Sequence, residues 1–308
     1  MTPLIEEHAN AAARAAPGSL ALSVLIPFHN DDPRRLLAAL DTGAPDSVEI
    51  VLFDDGAPDP ALNAALHVAV GACARPARLL TAKANLGRSA ARNRLATRAR
   101  GAWLVFLDAD MEVAPGFLAR WLEHVSASRA DAVFGGYEPV AAPDPDHRLH
   151  AALAHASDVA GAQDRTRQGA FAVCSSNLAV KAKAFSAAPF DEGFTGWGWE
   201  DVDWALTFAR RFSIAHVDHP ARHGGLESPA RLMEKFSTSG ANFARLMERH
   251  PEYAARKGAR LALRLKRSRL AAPAHLLGRI AALSPLPLKV RLLGLKLYRA
   301  AVNAEALP

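Results

Sequence analysis

Only two cysteines, Cys73 and Cys174, occur in the chain. They cannot build a disulfide framework, and neither sits in a metal-finger spacing, so a reducing compartment is expected. Long apolar runs are missing as well. The longest, near Leu20–Phe28 and Trp103–Leu107, fall far short of the roughly 20 residues that cross a bilayer. Residues 1–19 lack the basic start and apolar core of a secretory leader, so the expected location is cytoplasmic. No G-x-G-x-x-G follows the first apolar run, and neither G-x-x-x-x-G-K-[ST] nor G-x-S-x-G occurs anywhere. The usual dinucleotide, P-loop and serine-hydrolase solutions are thereby set aside.

What is present is a globular composition, 50% hydrophobic and 22% charged over 308 residues, enough for one large domain or two small ones. Charge is unevenly divided. Residues 254–308 carry twelve Lys+Arg against the single acid Glu305, whereas residues 1–253 hold 25 bases and 30 acids. A mildly acidic body therefore bears a basic appendage.

Along the body, strand-like and helix-like segments alternate. Leu20–Pro27, Val48–Phe53, Arg78–Thr81 and Ala102–Leu107 read as buried strands, and Arg34–Leu40, Pro60–Val70, Ser89–Arg100 and Pro115–Ser126 as helices. Continuous apolar strands joined by helices predict a mostly parallel sheet covered on both faces. Further strands are predicted at Ala132–Tyr137, at Phe171–Val180 with Ser175-Ser176-Asn177 interrupting it, and at Phe212–Val217, a helix at Glu200–Arg211, and helices only from Pro229 onward. The resulting division is an N-terminal arm over 1–19, an α/β domain over 20–228 and a helical basic extension over 229–308.

In such sheets ligands gather at the carboxyl ends of the strands. Here those ends carry Pro27-Phe28-His29-Asn30, Asp54-Asp55-Gly56 and Asp108-Ala109-Asp110. Alternation points Asp108 and Asp110 the same way, so both can address one hard divalent cation. Taken alone, each acidic pair fits a surface turn as well. Arg88 and Arg92, at the start of a helix, suit phosphate. His216 follows a strand, where histidines commonly cap or pack. The segment 196–204, GWGWEDVDW, sets three of the five tryptophans beside three carboxylates.

The order PFHN, FDDG, NLGRSAARN, FLDAD, SSNLAVKAKAF, FDEGFTGWGWEDVDW and AHVDH, over about residues 20–225, resembles the family 2 glycosyltransferases. GWGWEDVDW is most similar to the GWGGED segment of galactosyl- and N-acetylgalactosaminyltransferases and of bacterial polysaccharide synthases. The resemblance implies a GT-A fold, a Rossmann-like, mixed but mostly parallel sheet flanked by helices, and an inverting transfer from a UDP-sugar, galactose-type by preference, in polysaccharide biosynthesis. It implies that Pro27, His29 and Asp55 line the nucleoside pocket and that Arg88 or Arg92 faces the nucleotide. Asp108 would contact ribose or metal, and Asp110 with His216 would hold Mn²⁺ or Mg²⁺. Asp201 would be the catalytic base, with Glu200 on a donor or acceptor hydroxyl. Gly196, Trp197, Gly198, Trp199 and Asn177 would form the sugar and acceptor side. One base and one displacement give inversion.

Departures accompany the resemblance. His29 stands where an aromatic residue is usual, Trp199 replaces the second glycine of GWGGED, and Ala57-Pro58 follows DDG in place of serine or threonine. The basic segments 256–269 and 289–299 mix Leu and Val with Lys and Arg at helical intervals. They suit either an anionic membrane surface or packing on the body. Docking at the inner face of the cytoplasmic membrane would match a glycan or lipid-linked acceptor. Nucleic acid is not an expected partner, because no zinc module or RNP-type motif is present. Two rival readings are an inactive sugar- or nucleotide-binding module and a sugar nucleotidyltransferase. The second would want a glycine-rich basic loop after the first strand, where this chain has Pro27-Phe28-His29-Asn30.

Overall fold

The computed structural model describes residues 5–308. Its strands are β1 (Ile5–Ala9), β2 (Leu20–Phe28), β3 (Val48–Asp54), β4 (Ala77–Ala82), β5 (Gly101–Leu107), β6 (Met111–Glu112), β7 (Ala132–Phe134), β8 (Asn177–Lys181), β9 (Ile214–His216) and β10 (Arg222–His223). Eight of them form one sheet in the order β1-β4-β3-β2-β5-β8-β7-β9, and β6 pairs with β10. The central strands β4, β3, β2 and β5 are mutually parallel, β8 runs antiparallel to β5 and β7, and β9 is parallel to β7.

The helices are α1 (Ala11–Ala15), α2 (Arg34–Asp41), α3 (Pro60–Ala72), α4 (Arg88–Arg98), α5 (Phe117–Ala127), α6 (Arg148–Ser157), α7 (Ala162–Gln168), α8 (Ala182–Ala187), α9 (Glu200–Ala209), α10 (Pro229–Thr238), α11 (Gly240–Arg249), α12 (Lys257–Ser268), α13 (Ala271–Leu283) and α14 (Leu288–Ala306). The chain divides into two compact units. One holds residues 1–138, 160–192 and 204–224, and the other holds 139–159, 193–203 and 225–308. The helical unit therefore takes in two earlier segments besides the C-terminal stretch that the sequence predicts.

In the first unit the central strands are apolar on both faces, and period two divides them. Leu22, Val24, Ile26, Ile50, Leu52, Val105 and Leu107 pack with Leu36, Leu66 and Trp121 on one side. Leu25, Val51, Phe53, Leu104 and Phe106 pack with Leu95, Phe185, Trp204 and Phe208 on the other. This two-sided burial is why these strands read as unbroken apolar runs. One polar line threads them. Glu49 is fully buried in β3, accepts from Ser23 Oγ at 2.6 Å, and pairs with buried Arg78 at 3.0 Å. A charge this deep persists only because it is paired and hydrogen-bonded.

Two expectations change. Residues 5–9 do not form a free arm; β1 pairs antiparallel along β4, and Asn10 caps α1 while its Nδ2 donates to the Cys73 and Arg75 carbonyls. The strand predicted over 171–180 begins only at Asn177, because 169–172 is a 3₁₀ turn.

In the second unit α6 and α10–α14 enclose two small cores, one around Phe243, Ala262 and Ala301, the other around Leu149, Phe236 and Tyr298. Helices α13 and α14 meet at Gly278 and Gly294. A Cβ on Gly278 would lie 2.6 Å from the Tyr298 amide nitrogen, so only glycine allows that approach.

Candidate active site

The carboxyl ends of β2, β3 and β5 place His29, Asp55, Asp108 and Asp110 together in the first unit, with the first two turns of α4 supplying Arg88 and Arg92. Asp54 has a local role, accepting from the Ala57 amide at 2.7 Å and from Asn63 Nδ2 at 2.7 Å. The buried Asp55 carboxylate accepts from the amides of Leu86 at 2.7 Å and Gly87 at 3.0 Å, which ties the loop before α4 to β3. Burial raises its pKa, and those two amides pull it back only in part. Gly56, at φ +67°, passes so close to Ala84 and Asn85 that a Cβ would lie 2.6–2.7 Å from their backbone. Nδ1 of His29 lies 3.0 Å from the Asp55 carbonyl oxygen. Beside it, His29, Asn30, Ala57, Pro58 and Leu62 line a cleft of about 470 Å³.

Asp108 receives Arg92 Nη2 at 2.7 Å and Arg88 Nη2 at 3.5 Å. Burial alone would raise its pKa, but Arg92, Arg88 and His223 together hold it below the ordinary carboxylate value. Asp110 goes the other way: burial and the neighbouring Asp108 and Asp31 push it up against the pull of His223. Nε2 of His223 lies 3.5 Å from Asp110 Oδ2. Ligand atoms of Asp108, Asp110 and His223 all lie within 4.8 Å of one another. Two carboxylate oxygens and an imidazole nitrogen suit Mn²⁺ and related divalent ions, and a cation there would relieve the repulsion between the two acids. The residues present therefore fit the metal.

His216 is not part of this group. It ends β9 opposite Phe134, packs edge-on against that ring at 6.0 Å, and has a pKa lowered by burial and then by Arg165. His223 takes the position expected of it, because β10 pairs with β6 in the register His223↔Met111 and the Gly224 amide donates to the Asp110 carbonyl at 2.9 Å. No local sequence signal marks His223; only that long-range pairing does. His219 is a core residue, stacked on Phe117 at 4.3 Å with its pKa pushed down to about 4 by burial. Asn177 is fully buried, and its amide donates to the Gly136 and His219 carbonyls at 2.8 and 2.9 Å. That is an anchor within the fold, not an open amide facing a sugar.

The tryptophan-carboxylate segment begins in the second unit. Gly196, Gly198 and Trp199 all have positive φ, +73°, +87° and +76°, and Asn242 Nδ2 pins the turn by donating to the Thr195 and Gly198 carbonyls, each at 2.9 Å. A tryptophan in the left-handed region is strained. It is held there by Phe243 at 5.1 Å, Tyr253 at 5.8 Å and the Arg299 guanidinium 4.6 Å from its ring centre. Trp197 packs against Phe236 at 5.4 Å. Glu200, Asp201 and Asp203 occupy the first turn of α9, where the helix dipole favours negative charge. Glu200 is buried and Asp201 partly exposed. Asp203 is buried and holds Arg249 Nε at 2.6 Å and His250 Nε2 at 2.9 Å. Trp204 is a core residue of the first unit, stacked on Phe208 at 4.6 Å.

Comparison with known proteins agrees with this architecture. The uncharacterised glycosyltransferase YibD of Escherichia coli K12 is 38% identical over 96 residues, 30% of this chain and 27% of that protein. A relative from Mycobacterium tuberculosis is 32% identical over 123 residues, 38% of this chain and 35% of its own length. The matches thus span about a third or less of these curated relatives. Two solved structures share the fold. S. aureus TarS (residues 1–349) superposes with a TM-score of 0.54 at 14% identity, covering 93% of this chain and 89% of that one. The mannosyltransferase PcManGT of Pyrobaculum calidifontis, in complex with GDP-Man and Mn²⁺, gives 0.58 at 17% identity over 93% and 87%. The sequence pattern of glycosyl transferase family 2 matches residues 23–185, more than half of the chain. This chain therefore belongs to the family 2 glycosyltransferases and carries their GT-A fold.

Proposed function

We propose that the chain is a metal-dependent, inverting transferase that moves a sugar from a UDP-sugar to a hydroxyl of a glycan or lipid-linked acceptor. The observation that carries this reading is the Asp108–Asp110–His223 cluster at the ends of parallel strands, in a chain of this family. TarS has been solved with UDP and with UDP-GlcNAc, which supports a uridine nucleotide; PcManGT, with GDP-Man and Mn²⁺, supports a metal and keeps guanosine as the competitor to test. The GWGxED-like segment favours a galactose-type donor.

Each group has its part in the reaction. Pro27, His29 and Asp55 serve the nucleoside, the cleft that His29 lines takes the nucleobase, and half-exposed Arg88 faces the nucleotide while buried Arg92 fixes Asp108. A divalent cation on Asp108, Asp110 and His223 would supply Lewis-acid stabilisation of the departing diphosphate. Asp201 accepts the proton of the acceptor hydroxyl, whose oxygen forms a bond to the anomeric carbon as the bond to the diphosphate breaks. Glu200 holds a sugar hydroxyl. Trp197 and Trp199 give an apolar floor that Gly196 and Gly198 let the chain approach. The peripheral placement at an anionic membrane surface brings a lipid-linked acceptor within reach.

The test is UDP release from a panel of UDP-sugars, with wild-type protein and Asp201→Asn. Release by the wild type that the variant loses, with UDP affinity unchanged, supports the reading. Equal release by both removes Asp201 as the base. UDP binding with no turnover on any donor and acceptor pair favours a binding module instead.

A further inference from the structure

Eleven large hydrophobic side chains are exposed among the described residues, and ten of them lie between Leu261 and Leu293. The concentration arises from α13. On one side Ala274, Gly278 and Ala282 are buried, the glycine packed directly on the backbone of α14. On the other side, at about 100° per residue, Leu276, Ile280 and Leu283 fall within about 60° of each other, with Leu277 flanking them. Leu276 is 59% exposed and Leu277 61%. The α13–α14 turn continues this surface through Leu286 and Leu288 to Leu293, which is 68% exposed. A helix apolar on both sides belongs in contact with something other than water. Four large exposed apolar residues on one side of a single helix are unlike the scattered single ones common on soluble proteins.

The charge around it bears on what could cover it. From Arg256 to Arg299 the chain has twelve bases and no acid, and Glu305, the sole acid that follows, is taken by His275 at 3.1 Å. Exposed Arg279, Lys289 and Lys296 flank the apolar face. A second copy would bring two such basic surfaces together and is disfavoured by repulsion, whereas an anionic lipid surface meets both the leucines and the charges. No helix among the described residues is long and apolar enough to cross a membrane, so the contact is interfacial. The basic helix α12, by contrast, turns Ala259, Ala262 and Leu265 inward, leaving a solvated basic face.

We propose that the α13–α14 hairpin is the element that inserts into the headgroup region of an anionic bilayer, with its leucines immersed and the flanking arginine and lysines on the phosphates. This deepens the membrane placement proposed above and rests on it.

The experiment is co-sedimentation of the full chain with vesicles of phosphatidylcholine alone or mixed with phosphatidylglycerol, beside the exposed-face triple variant Leu276→Gln/Ile280→Gln/Leu293→Gln. Thermal melting and UDP titration serve as controls for folding and for the first unit. The wild type is expected to pellet with the anionic vesicles only, and the variant to bind them at least roughly tenfold more weakly with melting and UDP affinity unchanged. If the variant pellets like the wild type, the hairpin inference fails while membrane placement through other basic surface survives. If the wild type binds no vesicle, both fail. The same holds if the wild type proves to be a dimer that the variant dissociates without any vesicle binding, since the face is then a contact between copies.

Discussion

Nε2 of His223 stands 3.5 Å from Oδ2 of Asp110. The contact is made by backbone, through the short β6–β10 ladder and the Gly224 amide on the Asp110 carbonyl. A side chain fixed in this way would be pre-oriented for the proposed cation.

His223→Ala should weaken Mn²⁺ binding by at least roughly 10–100-fold, the loss typical even of residues that only orient a metal ligand, whereas His216→Ala should leave it within about twofold. Isothermal titration of Mn²⁺ into each variant decides between the two histidines.

The two aspartates should respond to pH with opposite signs. Asp108 has a lowered pKa, so its pairing stabilises the fold above the ordinary carboxylate value and is lost as pH falls through the lower folded value. Asp110 has a raised pKa, so its contribution is fully present below the ordinary value and lost as pH rises through the higher folded value. Metal-free Asp110→Asn should therefore melt higher than the wild type at neutral pH, by roughly 2–4 °C for each kcal/mol of repulsion relieved. It should also lose the rise in melting temperature that Mn²⁺ gives. Asp108→Asn should melt lower. A lower melting point for Asp110→Asn would contradict the account.

Within α9 two acids two residues apart should separate cleanly. Asp203→Ala takes the carboxylate away from buried His250 and partly exposed Arg249, at a cost of about 2–4 kcal/mol in urea unfolding. Asp201→Asn should leave unfolding within about 0.5 kcal/mol and remove turnover.

Trp199 isolates backbone strain. At φ +76° any side chain is penalised by about 1–2 kcal/mol relative to glycine. Both Trp199→Ala and Trp199→Gly lose the contacts to Phe243, Tyr253 and Arg299. The glycine variant should nevertheless be the more stable of the two by about 1 kcal/mol. Equal stabilities would show that the turn relaxes when the indole is removed.

The legible part of the molecule is the part built from local pattern. The strands β2, β3 and β5 announce themselves because both faces are buried, and the polar clusters at their ends follow from that. Edge strand β1 is hidden in the sequence because Ile5–Ala9 carries Glu6, Glu7 and His8 on a half-exposed edge, with no apolar alternation to see. The apolar pattern from Phe171 suggests a strand too early, since Gly169–Ala172 turns as 3₁₀ before β8 begins. Spacing does not choose His223 over His216, because the position of His223 depends on pairing with a strand far earlier in the chain. Of the three tryptophans in GWGWEDVDW, Trp204 is core, and only the direction of α9 separates it from the other two. The basic tail reads as amphipathic helices, but its exposed apolar face lies on α13, where Ala274, Gly278 and Ala282 disguise the packed side.

On the proposed function, Asp108, Asp110 and His223 bind a nucleotide through a divalent cation. Calorimetric titration of UDP and of GDP, each with Mn²⁺ and again with EDTA, into the wild type and Asp110→Ala tests it most directly. UDP should bind with Mn²⁺, EDTA or Asp110→Ala should abolish the binding, and GDP should bind more weakly throughout. UDP binding indifferent to EDTA and to Asp110→Ala, or none in the presence of Mn²⁺, would contradict it.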